Sequence, residues 1–216
     1  MFERLIPVVM PQYCERDRFG FEVVNTITNV GFWLAAVALY PHWRRHRSRF
    51  IAYAMGLLVI VGLCSGLFHA LRTRPLLILD AVPLYLLILS MAYRALSLVA
   101  RATVAVLFIV GVIAGAALAN AMTVGTVIHV ASRHGVAVIA FGGLAFLIQS
   151  RNPTAARWVV AAVILYAAAL AAKTLDGSVC AFLPIGSHWL WHLAGALATY
   201  CGLRGVDSLE RRAQER

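Results

Sequence analysis

FIAYAMGLLVIVGLCSGLFHAL, residues 50–71, carries no Asp, Glu, Lys or Arg and closes on Phe68-His69 followed by two apolar residues. About 20 apolar residues take a helix across the hydrocarbon core of a bilayer, so this stretch is long enough to span one. Apolar runs punctuated by charge recur at 22–42, 75–98, 102–120, 126–149, 155–174 and 185–204. Residues 120–135 are the most interrupted, by Asn120, His129, Arg133 and His134. The expected fold is all-α: a seven-transmembrane-helix bundle over 22–204, an extramembrane N-terminal segment over 1–21 and a cytoplasmic tail over 205–216.

Composition agrees with a membrane interior. Of 216 residues, 62% are hydrophobic and 13% charged, with a mean hydropathy of +0.81. A soluble domain is close to half apolar and about a quarter charged. Seven spans of about 20 residues consume roughly 140 residues, which leaves short loops and no second domain. Met1 to Pro11 lack the basic start and small-residue cleavage site of a secretory signal, so the first span is expected to direct insertion. The net charge of +10 would suggest nucleic acid in a soluble protein. Here the basic residues gather at helix ends, as in Arg44-Arg45-His46-Arg47-Ser48-Arg49, and are read as topology signals and headgroup contacts. Lys173 is the single lysine; arginine and alanine enrichment hints at a GC-rich bacterial genome. The loops after the first, third and fifth spans, with the C-terminus, hold twelve arginines; the other side holds six arginines and Lys173. The excess places the N-terminus outside and the C-terminus in the cytoplasm, in a bacterial inner membrane.

Ionisable residues inside spans are costly and by default functional. His69 ends the second span, one helical turn after Ser65 and on the same face. Asp80 opens the third span, and His188 and His192, again one turn apart, open the seventh. The alternating direction of the spans brings all of these to the non-cytoplasmic side, within a turn or two in depth. Three neutral imidazoles suit zinc and leave a fourth tetrahedral position for water. Bound zinc lowers the pKa of that water and polarises a carbonyl. Asp80 fits either a general base or a partner that orients an imidazole, and Ser65 a donor to a developing oxyanion. Blander roles stay open: a serine bonding its own helix backbone, an aspartate in a helix–helix contact or a proton relay. His42, His46, His129 and His134 are assigned to interfaces or polar contacts, without catalysis.

These blocks resemble the alkaline ceramidases, within the superfamily of seven-span hydrolases that includes the progestin and adiponectin receptors. The resemblance is carried by Tyr13-Cys14-Glu15 with Glu22-Val23-Val24-Asn25, by Ser65-x-x-Phe68-His69, by Leu79-Asp80-x-x-Pro83, by Asp176-x-x-x-Cys180 and by His188-x-x-Trp191-His192. It implies zinc on His69, His188 and His192, assistance from Ser65 and Asp80, and hydrolysis of the amide of ceramide or a similar N-acyl lipid to a sphingoid base and a fatty acid. The substrate is a membrane lipid, and neither nucleic acid nor an obligate protein partner is implied. The family also binds calcium through its N-terminal acidic segment. Here Glu15, Asp17 and Glu22, with a main-chain oxygen of Tyr13, would supply the oxygen ligands that calcium needs. Gln12, however, stands where the family has an acid. Ala70 and the short loop from Cys180 to His188 also depart from the family pattern, near the presumed entrance. Shared topology and the family blocks together suggest a Cys14–Cys180 disulfide on an oxidising face, whereas Cys64 and Cys201 read as small apolar residues. Two rival readings remain: a receptor-like or sensing protein with a structural zinc, and a transporter using Asp80 and the histidines as a proton relay.

Overall fold

The structure is a computed structural model that describes residues 12–124 and 129–215. No strand occurs among the described residues. Two short helices, α1 (Cys14–Phe19) and α2 (Val23–Ile27), lead into seven longer ones. These are α3 (Val30–His46), α4 (Arg49–Leu71), α5 (Arg74–Ser97), α6 (Ala102–Met122), α7 (His129–Gln149), α8 (Pro153–Val179) and α9 (His188–Gln214).

Local chemistry sets the boundaries. Ser48 Oγ accepts the Ile51 N–H at 3.1 Å and starts α4; Asn152 Oδ1 accepts the Ala155 N–H at 3.0 Å and starts α8, where Pro153 gives up no needed donor. Arg47 and Arg72, both in the left-handed region at φ 52°, end α3 and α4 at positions glycine more often fills. Arg44, Arg45 and His46 sit in the last turn of α3, where cations oppose the negative helix end.

Five helical stretches are long and apolar enough to cross a membrane: Val23–His46, Arg49–Leu71, Arg74–Ser97, Ala102–Met122 and Pro153–Val179. The outer surface is correspondingly apolar, with Leu107, Val110, Ile139, Phe146 and Ile164 exposed. The chain is therefore a multi-pass membrane protein. The other two expected spans differ from these five. The apolar part of α7 is His134–Gln149, and residues 126–128 of the expected span 126–149 lie outside the described residues. α9 is polar for a membrane helix because it is the hub of the bundle. It packs against α3, α4, α5 and α8, and its His188, His192, Thr199, Asp207, Ser208 and Glu210 are all buried among them.

The expected tail at 205–216 is helical for most of its length. α9 continues unbroken to Gln214, with Val206, Asp207, Leu209 and Glu210 buried. Arg94 Nε donates to Glu210 Oε1 at 2.7 Å, and Asn152 Nδ2 donates to the Ser208 carbonyl at 3.1 Å. Charges that look solvated in sequence are held by neighbouring helices. The main core, including Leu39, Ile51, Leu58, Leu87, Ile148 and Leu203, fills the middle of the bundle. It leaves the polar chemistry to the end where α4 finishes and α9 begins.

Candidate metal centre and its cavity

His69 lies in the last turn of α4; His188 is the first residue of α9 and His192 follows one turn later. Each is 1% exposed, and their ligand nitrogens fall within 4.8 Å of one another. The sequence separates His69 from the α9 pair, and the antiparallel run of the helices brings them to one depth.

Hydrogen bonding fixes which nitrogens face inward. His69 Nδ1 is 2.6 Å from Glu22 Oε2; a carboxylate only accepts, so Nδ1 carries the proton and Nε2 keeps its lone pair. Thr28 Oγ1 lies 2.8 Å from the Val24 carbonyl and 2.9 Å from His192 Nδ1. Its one proton goes to the carbonyl, so it accepts from His192 Nδ1–H, and the His192 Nε2 lone pair is also free. These tautomers are assigned from the network. The two Nε2 atoms nevertheless face each other at 3.1 Å, where two lone pairs repel unless a cation lies between them. Buried His188 Nδ1 has no hydrogen-bond partner. Nitrogens about 2.05 Å from a tetrahedral zinc sit roughly 3.3 Å apart. The residues present therefore fit zinc: three buried imidazoles, two oriented by an acid and a hydroxyl on their far side.

The N-terminal segment covers this centre. The Tyr13 ring stacks on His188 with centroids 3.8 Å apart. Burial, then the charge of Asp80, holds the Tyr13 phenol far above its ordinary pKa, so it stays neutral. Cys14 and Cys180 are joined in a disulfide, their Cα atoms 5.3 Å apart. Asp176 fastens the same corner, accepting the backbone N–H groups of Cys14 at 2.9 Å, Ser187 at 2.7 Å and His188 at 2.8 Å. Its carboxylate thus starts α9 and sets His188 in place. Gly186 makes that approach possible: its φ is +66°, and a Cβ there would lie 2.1 Å from Asp176 Oδ1. Gly186→Ala should destabilise the protein by roughly 2–5 kcal/mol from left-handed strain plus the clash, read as a lowered Tm and a loosened metal site.

The acids expected to hold calcium are otherwise engaged. Glu15 accepts the N–H groups of Val24 at 2.6 Å and Asn25 at 2.9 Å, capping α2. Glu22 divides its oxygens between His69 and the Arg72 guanidinium, whose Nε is 3.1 Å from Oε1. Asp17 is exposed, and the Tyr13 carbonyl accepts the Asp17 N–H at 3.0 Å. Among the described residues, the three histidines are the group gathered for a metal. Arg72, held over the Tyr13 and Phe68 rings, supplies a positive partner to Glu22.

Of the three histidines, His192 borders the same cavity as Ser65 and Asp80. That cavity, of about 360 Å³, is shared with Tyr13, Tyr85, His134 and Lys173. Past Phe32, Leu84 and Trp191, which border both spaces, a narrow crevice with wholly apolar walls continues between α5, α7, α8 and α9. Its α9 wall runs from Trp191 to Gly202, a rise of about 16 Å. His134, expected only in a polar contact, makes one with Tyr166 at 2.8 Å and also borders the cavity; the side chain of His129 lies outside the described residues. Sequence reasoning missed Thr28, Arg72 and Lys173. Only Lys173, a cation inside a membrane span, carried a signal that could have found it.

A family model described as Ceramidase matches residues 12–216, which takes in every described residue. No curated protein matches the chain. Five membrane-crossing helices, a buried histidine cluster and a match along the whole described length lead to one conclusion: the chain belongs to the ceramidase family, membrane amide hydrolases that act on a lipid.

Proposed function

We propose that this protein is an intramembrane zinc-dependent amidohydrolase that cleaves the amide of ceramide or a similar N-acyl lipid into an amine and a free fatty acid. The observation that carries the reading is the pair of Nε2 lone pairs facing each other at 3.1 Å, with buried His188 beside them. Zinc held by His69, His188 and His192 would act as a Lewis acid on the carbonyl and lower the pKa of a water. The protein's own residues do the rest. Glu22 and Thr28 hold two imidazoles in the required tautomer. Asp80 accepts the proton of the attacking water and passes it to the leaving nitrogen. Ser65 donates to the carbonyl oxygen as negative charge develops there. The apolar crevice takes the acyl chain, keeping it and the scissile bond away from bulk water.

In this reading α3 to α9 make seven crossings, with α9 tolerated because its polar groups are satisfied inside protein. The N-terminus is outside, and the centre faces the non-cytoplasmic side of a bacterial inner membrane. Calcium is left out, because the acids that would bind it have other partners. Asp80→Asn should keep stoichiometric zinc and lower fatty acid release from ceramide by about 10²–10⁴-fold, the range for a lost proton-transfer group. Near-normal release would remove Asp80 from the mechanism. A fully zinc-loaded wild type that releases no fatty acid would overturn the hydrolase reading itself.

A further inference from the structure

Phenylalanine would serve at position 13 if the side chain only roofed the centre. Tyr13 is 6% exposed, and a buried phenol ordinarily finds a hydrogen-bond partner. Its hydroxyl has none among the described residues, while the residue lines the cavity that holds Ser65, Asp80 and His192. The ring alone accounts for the packing. It stacks on His188 at an interplanar angle of 21° and meets His69 tilted by 45°, with centroids 5.4 Å apart. A nearly parallel stack carries the hydroxyl sideways past the imidazole rather than into it. Asp80 is close enough for its charge to act on the phenol.

The backbone beside Tyr13 is tied down independently of any substrate. Cys14, next in the chain, is joined to Cys180 and donates its N–H to Asp176. The Tyr13 carbonyl accepts the Asp17 N–H and so opens α1. A donor fixed in this way needs no reorganisation when charge develops beside it. Ser65 comes from α4 and Tyr13 from the N-terminal strap, so two neutral hydroxyls stand on different walls of one cavity.

We propose that Tyr13 is a catalytic residue: its phenol donates a hydrogen bond, beside that of Ser65, to the amide carbonyl oxygen as negative charge develops there. The inference rests on the hydrolase reading above and adds a residue to it. As the water oxygen bonds to the acyl carbon, the carbonyl electron pair moves onto its oxygen, where both hydroxyls meet it. When the C–N bond breaks, that pair returns to re-form the carbonyl. The nitrogen leaves with the proton that Asp80 took from the water. Tyr13 keeps its own proton throughout, so it stabilises charge and transfers none.

The test compares full-length, zinc-loaded wild type and Tyr13→Phe in detergent, with N-oleoylsphingosine as substrate. Tyr13→Phe should hold stoichiometric zinc and unfold at the wild-type Tm, because ring, disulfide and strap all remain. Its kcat should fall about 10²-fold, the low end for a lost oxyanion donor. KM should stay nearly unchanged, as expected of a contact made only in the transition state. A phosphonamidate analogue of the substrate, with a tetrahedral anionic centre in place of the carbonyl, should bind the variant more weakly by about the same factor. A kcat within about twofold of wild type overturns the proposal. Lost zinc or a lowered Tm in Tyr13→Phe overturns it too, since the hydroxyl would then be holding the roof. So does a change confined to KM, which would place the hydroxyl on the unreacted substrate. A wild type that releases no fatty acid would overturn the hydrolase reading together with this one, whereas an active wild type matched by Tyr13→Phe strikes only the present inference.

Discussion

His188→Ala is expected to abolish zinc binding and to lower lipid-amide hydrolysis by at least about 10³-fold, because a metal supplies several kcal/mol of transition-state stabilisation at about 1.4 kcal/mol per decade of rate. The imidazole is buried, and its Nδ1 has no hydrogen-bond partner, so its removal takes away no polar contact seen at that atom. The backbone N–H of residue 188 would still donate to Asp176, and α9 would still start in place. The fold should therefore survive, with a cavity under Tyr13 as the main structural cost. Metal analysis of the purified variant, alongside fatty acid release, separates the outcomes. Retained zinc with retained turnover would remove His188 from the site.

Glu22→Gln is expected to have the second largest effect, and on two quantities at once. The Glu22 side chain is fully buried between His69 and Arg72. Neutralising it removes a carboxylate charge from beside the Arg72 side chain, itself 9% exposed; breaking a buried pair from one side costs about 3–5 kcal/mol. It also weakens the acceptor that orients His69, and such changes typically lower metal affinity about 10–100-fold. The double variant Glu22→Gln with Arg72→Gln distinguishes the two effects. Removing the cation as well should recover part of the lost Tm, while zinc affinity stays low. If the double variant recovers zinc affinity as well, Glu22 acts through Arg72 and not through His69.

The three gathered histidines were legible in sequence because helical spacing and helix direction are properties of the chain itself. One turn separates His188 from His192, and the opposite travel of α4 and α9 brings His69 to their depth. What surrounds them was not legible, because it depends on which cation meets which acid across space. Glu22 reads as a hard-oxygen ligand among other N-terminal acids until Arg72 is seen folding back from the left-handed end of α4. Glu210 looks like a solvated charge near the end of the chain, since nothing local reveals that Arg94 lies against it, whereas the Asp207–Arg211 pair, one turn apart on α9, is local. Thr28 gave no signal, because a threonine in an apolar helix is ordinary and only its distance to His192 gives it a role. Spacing also could not anticipate how polar a hub helix becomes when its neighbours, rather than lipid, surround it.

The Cys14–Cys180 bond closes a ring across 166 residues of sequence. Its second sulfur lies just beyond α8, so the ring cannot close until nearly the whole chain has been inserted. Tyr13 is the neighbour of Cys14, and its perch on His188 is fastened by that late event. The strap can therefore be fastened only once α8 and Cys180 have been made, and only in a compartment able to take up the two thiol electrons. A chain halted before residue 180 would lack both the partner of Cys14 and the α9 histidines that Tyr13 covers, which ties the roof and the site to the same last stretch of chain.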